Sequence, residues 1–259
     1  MSEPQHPAKF SAGIQKLLAR WLDEEAARRD LPRPLRVLDQ FAGVGRIHRL
    51  PFEREHFTVG GELEIPWALA GGSIPADALR LPFADASFEA IATSPCYGNR
   101  MADTYNGSGD RCVPCKLLVA PDPACSGCHG SGLAESRRQT YTIARGEPLR
   151  EGSAAVLQWG PAYRRFHAAA WIEAQRVIAP GGLLLVNISN HVRDRKIQPV
   201  AEWHLHALLR LGFLLIEARP IATARMRHGA NHQLRADAEL ILALRDPRTP
   251  THPEENQQP

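Results

Sequence analysis

Six short apolar runs, each bounded by turn or helix signals, constrain this chain more than any other feature. They read RVLDQF (36–41), FTVGGEL (57–63), SFEAIAT (87–93), GLLLVNIS (182–189), FLLIEA (213–218) and ELILALR (239–245). Runs this short and this apolar fit strands buried on both faces, and helix-length segments at 163–178 and 200–211 lie between them. That alternation predicts an α/β fold: a doubly wound, mostly parallel sheet with helices on both faces. Phe10, Ile14, Leu17, Leu18, Trp21 and Leu22 recur at helical spacing, which predicts an N-terminal amphipathic helix ended by Pro32 and Pro34. The last two runs are joined by RPIATARMRHGANHQLRAD, which carries no helix signal, so the final strand is expected to enter antiparallel. The proline-rich segment 246–259 has no apolar period and is expected to lack structure.

The chain has 259 residues, 44% hydrophobic and 23% charged, which is enough apolar material for one main domain with an insertion. No apolar run approaches the roughly 18 residues of a membrane helix, and MSEPQHPAKF lacks the charged-then-apolar order of a secretion signal. A cytoplasmic protein without a membrane partner is expected. The net charge of +3 permits a polyanionic partner without requiring one.

In such a sheet, ligands sit beyond the carboxyl ends of the strands, where strand order reverses. The first loop there, DQFAGVGR (39–46), has Gly43 and Gly45, which let the backbone turn tightly and approach a nucleoside, and Asp39, which can accept hydrogen bonds or fix the loop. A purely structural turn is the competing reading. GGELE ends the second strand with Glu62, placed to take both ribose hydroxyls; Glu64 is the fallback and is expected to face solvent. Asp77 in ADALRLPF offers a carboxylate for an adenine amino group or a helix cap. There is no GxxxxGK[ST] phosphate cradle and no third glycine of the dinucleotide fingerprint, which points to an adenosine without a pyrophosphate.

DQFAGVGR, GELE, DALRLPF with DASFEAIATSPCYGNR, and EAQRVIAPGGLLLV, in this order, resemble the class I S-adenosylmethionine-dependent methyltransferases. TSPCYG is similar to the (D/N/S)PP(Y/F) loop of the DNA amino-methyltransferases. The resemblance implies a seven-stranded Rossmann-like sheet with an antiparallel last strand. It also implies S-adenosylmethionine held by Asp39, Phe41, Gly43, Gly45, Glu62 and Asp77, and double-stranded DNA as partner. Chemistry would fall to Ser94, Pro95 and Tyr97. The Ser94 hydroxyl and the Pro95 carbonyl would accept the hydrogens of cytosine N4 or adenine N6, and the Tyr97 ring would stack on a flipped base. Two positions depart from the pattern: Cys96 replaces the second proline, which makes the loop less stiff, and Gln40 stands where proline often follows the first acid.

Cys112, Cys115, Cys125 and Cys128 form CxxC, nine residues, CxxC. Each pair resembles a zinc knuckle, so a closed structural Zn²⁺ site is expected over two disulfides in a reducing compartment. The knuckles lie in an inserted segment, 99–159, which divides the methyltransferase-like domain into 35–98 and 160–245 and leaves 1–34 as the N-terminal helix. Between positions 100 and 150, seven basic residues face five acidic ones, an excess too small to define a nucleic-acid surface; a zinc-stapled lid is the alternative. Arg225, Arg227, His228 and Arg235, before the last strand, have no acid among them until Asp237 and are the better phosphate contacts. Other functions consistent with these residues are an RNA or small-molecule methyltransferase and a non-catalytic zinc-bearing nucleic-acid binder.

Overall fold

The computed structural model describes residues 10–29, 34–98, 120, 122–125, 147–193, 196–222 and 238–249. Strand parity explains its layering. Along β1 (Arg36–Asp39), β4 (Phe88–Thr93), β5 (Ile178–Ile188) and β9 (Ala238–Arg245), successive side chains point to opposite faces. Val37, Ala90, Leu183, Leu185 and Ile241 therefore meet α1 (Ala12–Arg29) through Ile14, Leu17, Leu18 and Leu22 on one side. Leu38, Ile91, Leu184, Val186, Leu242 and Leu244 meet the other layer, α3 (Pro161–Val177) and α4 (Val200–Arg210), through Tyr163, Trp171, Ala174, Val200 and Leu208. Each fully buried leucine or isoleucine contributes about 1.5–3 kcal/mol by leaving water, so these two faces dominate the energetics.

With β2 (Phe57–Glu62), β3 (Ile74–Pro75) and β8 (Leu214–Ala222), the sheet has seven strands in the order β3-β2-β1-β4-β5-β9-β8. β3, β2, β1, β4 and β5 run parallel, and β9 is antiparallel to both β5 and β8, as expected for the final strand. Strand order reverses between β1 and β4, so their carboxyl ends open at the switch point where a ligand cleft belongs. The short β3, the helix α2 (Ile65–Gly71) and a hairpin of β6 (His191–Arg193) and β7 (Lys196–Gln198) are additions to the expected elements.

Charged contacts tie the N-terminal helix to the far strand. Glu25 is buried, which pushes its carboxyl up, but Arg28, Arg245 and Arg29 overcome this and hold it down at about 2. Order also continues past β9. Asp246 is buried and its N–H donates to the Gly182 carbonyl, while Arg248 Nη2 donates to the carbonyls of Gln175 and Ile178. The lack of structure expected from position 246 is not met at 246–249, where Arg248 closes over the end of α3; positions 250–259 lie outside the described residues.

Candidate active site

The loops after β1, β2 and β4 meet at one edge of the sheet. Asp39, at the end of β1, is 2% exposed, and its Oδ1 accepts from the Phe41 N–H at 3.0 Å and from Thr93 Oγ1 at 2.6 Å. The first bond turns the glycine loop, and the second ties that loop to the last residue of β4. Burial pushes the Asp39 carboxyl up to about 6 against the pull of these two donors. Gly43 and Gly45 both have positive φ, 54° and 68°. At Gly45 an added Cβ would also run into the Gly71 carbonyl of α2, so this glycine serves close packing of loop on helix.

Glu62, at the end of β2, holds the same loop from the other side. Its Oε2 accepts from the Gly43 N–H at 2.8 Å and its Oε1 from the Glu64 N–H at 2.9 Å. Glu64 departs from expectation: it is 1% exposed, and its Oε1 accepts the Arg150 N–H at 2.8 Å. The cause is the returning limb of the insertion. Leu149 and Ala155 pack with Val44, Trp67 and Cys96, and Arg150 Nη1 donates to the Leu63 carbonyl, which covers Glu64. Asp77 is exposed and caps no helix; its Oδ1 accepts from the Leu79 N–H in a tight turn. Phe41 packs toward α3, its ring centroid 5.9 Å from that of His167 and edge-on to Trp171.

Beyond β4 the TSPCYG segment is held by side chains from four elements. Ser94 and Tyr97 are half-buried, with Oγ and Oη 3.2 Å apart. Tyr97 Oη donates to Glu239 Oε2 of β9 at 2.9 Å. Asn187 of β5, 2% exposed, turns its Nδ2 toward Glu239 Oε2 (2.8 Å), Tyr97 Oη (3.0 Å) and Ser94 Oγ (3.3 Å). The helix side carries a second chain. An indole N–H only donates, so Trp171 Nε1 donates to His204 Nδ1 at 2.9 Å and leaves the proton of neutral His204 on Nε2. That N–H meets Tyr163 Oη at 2.8 Å, and Tyr163 donates to the Cys96 carbonyl at 2.6 Å. Burial, with His167 adding to it, pushes His204 well below the usual histidine range, so it stays neutral.

Asn187, Glu239, Tyr163 and His204 went unnoticed in the sequence. The signals were there as polar residues on apolar surfaces: an asparagine inside LLLVNI, a glutamate opening ELILALR, and a histidine on the buried stripe of α4. Of the expected metal ligands only Cys125 falls among the described residues, where it is buried; Cys112, Cys115 and Cys128 lie outside them, as do Arg225, Arg227, His228 and Arg235. Among the described residues, no group of three or more His, Cys, Asp or Glu side chains could hold a metal ion. Nor is any helix among them long and apolar enough to cross a membrane.

No family model and no curated protein matches the chain. Solved structures similar to it include S-adenosylmethionine-dependent methyltransferases. The 1,6-didemethyltoxoflavin-N1-methyltransferase of Burkholderia thailandensis, solved with S-adenosylhomocysteine, is 12% identical over 88% of this chain and 79% of its own, with a TM-score of 0.41. The cyclase SpnF is 16% identical over 91% of this chain and 83% of its own, TM-score 0.46. A DNA modification methylase of Thermus thermophilus, provisionally so named, is 18% identical over 70% and 56%, TM-score 0.38.

Proposed function

We propose that the protein is an S-adenosylmethionine-dependent methyltransferase acting on the exocyclic amine of a DNA base, cytosine N4 or adenine N6. The observation that carries this is the joining of two loops of different chemistry through one bond, Thr93 to Asp39. On one side stands a glycine loop pinned by a carboxylate at the end of β2. On the other stands an acceptor-rich segment, Ser94–Pro95, at the switch point of the sheet.

The residues present fit an adenosine cofactor. The positive-φ turn at Gly43 and Gly45 keeps side chains off the cleft, and a carboxylate oxygen accepts two hydrogen bonds, so Glu62 can hold the Gly43 amide and a ribose hydroxyl together. Phe41 and Asp77 would contact the adenine, and Asp39 would set the loop. Bound there, S-adenosylmethionine supplies an electrophilic methyl group. The chain's own residues do the rest. A base amine is a weak nucleophile because its lone pair is conjugated into the ring, and acceptors against its hydrogens, Ser94 Oγ and the Pro95 carbonyl, favour the pyramidal nitrogen that can attack. Holding the two reactants aligned accounts for much of the barrier, roughly 7–11 kcal/mol in favourable cases. Tyr97 stacks the flipped base, worth about 1–3 kcal/mol.

Arg225, Arg227, His228 and Arg235 would neutralise DNA phosphates, and Cys112, Cys115, Cys125 and Cys128 would hold one structural zinc in the insertion. The Tyr97→Ala variant tests the substrate side. It should lose methyl transfer to duplex DNA while S-adenosylmethionine affinity, measured by calorimetry, persists. Equal transfer rates in wild type and variant would remove the main reason to make the substrate a nucleobase.

A further inference from the structure

We infer that Glu239 is a positioning residue that sets the direction of the hydrogen bonds under the TSPCYG loop, so that Ser94 Oγ presents a lone pair to the substrate amine. The inference rests on the amine-methylating reading above. A serine hydroxyl can donate or accept, and only the accepting orientation helps an amine whose two hydrogens need partners. Something has to choose between them.

The cluster makes that choice. An ionised carboxylate has no hydrogen to give, so the 2.9 Å contact between Tyr97 Oη and Glu239 Oε2 consumes the single phenolic proton in a charge-assisted bond. The Asn187 amide orientation follows from the same carboxylate, because Nδ2 and not Oδ1 must face Oε2 at 2.8 Å. Tyr97 Oη is then an acceptor toward its other neighbours, Asn187 Nδ2 at 3.0 Å and Ser94 Oγ at 3.2 Å. The Ser94 proton points inward to Tyr97, one lone pair of Ser94 Oγ faces Asn187 Nδ2 at 3.3 Å, and the other is left for the substrate amine. A neutral amide at position 239 removes this bias: its NH₂ can donate to Tyr97 Oη, which sends the phenolic proton toward Ser94 and the serine proton toward the substrate. Donor would then face donor.

The test is a double-mutant cycle on Glu239→Gln and Tyr97→Phe, with the ring retained in both. Each substitution should lower kcat for methyl transfer about tenfold or more and leave the cofactor Kd and the KM for DNA within about twofold, and the double variant should be no slower than the slower single one. A readout independent of turnover is the Asn187 side-chain amide in ¹⁵N NMR, identified by its loss in Asn187→Asp. Its exchange with water should be about tenfold faster in Glu239→Gln than in wild type. Wild-type kcat in Glu239→Gln, multiplicative effects in the double variant, or an unmoved Asn187 amide would each overturn the assignment. Failure of the wild-type protein to methylate any amine is a different result; it would overturn the methyltransferase reading and this inference with it.

Discussion

Asp39 carries a pH dependence that can be isolated by one substitution. Its carboxyl sits at about 6 in the folded chain against an ordinary 3.8, so between those values the folded state holds a proton that the unfolded state has lost. The contribution of this group to stability therefore falls as pH rises from about 4 to about 6, by about 3 kcal/mol at most. Asp39→Asn keeps an Oδ1 for the Phe41 amide and the Thr93 hydroxyl and removes the ionisation. Urea unfolding from about pH 3 to about pH 7.5, which spans both values, should show that variant at least as stable as wild type at neutral pH and flatter below it. A variant clearly less stable at pH 7 would mean that the charge itself is needed. Glu62 is the other anchor. Glu62→Ala removes the acceptor for Gly43 and Glu64 and should weaken S-adenosylmethionine binding by about 1.5–3 kcal/mol in calorimetry, and unchanged affinity would remove Glu62 from the cofactor site.

At the scale of elements, α3 and α4 act as the backstop of the TSPCYG loop. The chain Trp171, His204, Tyr163 is buried and every proton in it has a direction, ending on the Cys96 carbonyl. It holds the loop at Cys96, a residue without the fixed φ of a proline. Tyr163→Phe strands the His204 N–H in the core and should cost about 1–3 kcal/mol in urea unfolding, with a larger loss in methyl transfer than in cofactor affinity. An unaltered unfolding midpoint would show that the loop does not lean on Tyr163. The strands were legible because short apolar-rich runs bounded by turn signals leave few alternatives, and the two helices because their buried stripes repeat at helical spacing. β3 and the β6–β7 hairpin were not, since two or three residues are too short to show a period. Glu64 was misjudged as exposed because its cover, the limb around Leu149 and Arg150, lies more than eighty positions away, as the separation of 86 between Glu64 and Arg150 shows.

For the whole molecule, the chain between β4 and α3 comes back across the glycine loop, where Leu149, Arg150 and Ala155 dock on Val44, Trp67 and the β2 terminus. The sheet has its own two apolar faces and does not depend on that excursion. With the proposed zinc site in place, a chelator should therefore release one metal per chain and open the segment 99–159 to proteolysis, while far-ultraviolet circular dichroism changes little. Metal analysis finding no zinc in protein purified under reducing conditions would contradict this.

Transfer of a methyl group to a base in DNA is read out by incubating purified wild-type protein with methyl-labelled S-adenosylmethionine and, separately, duplex DNA, RNA and a small-molecule extract. Label should enter the DNA as N4-methylcytosine or N6-methyladenine, with binding that weakens as salt rises because phosphate contacts supply much of the affinity. Label confined to RNA or to small molecules, or cofactor bound with no label transferred to any pool, would rule out a DNA base as the methyl acceptor.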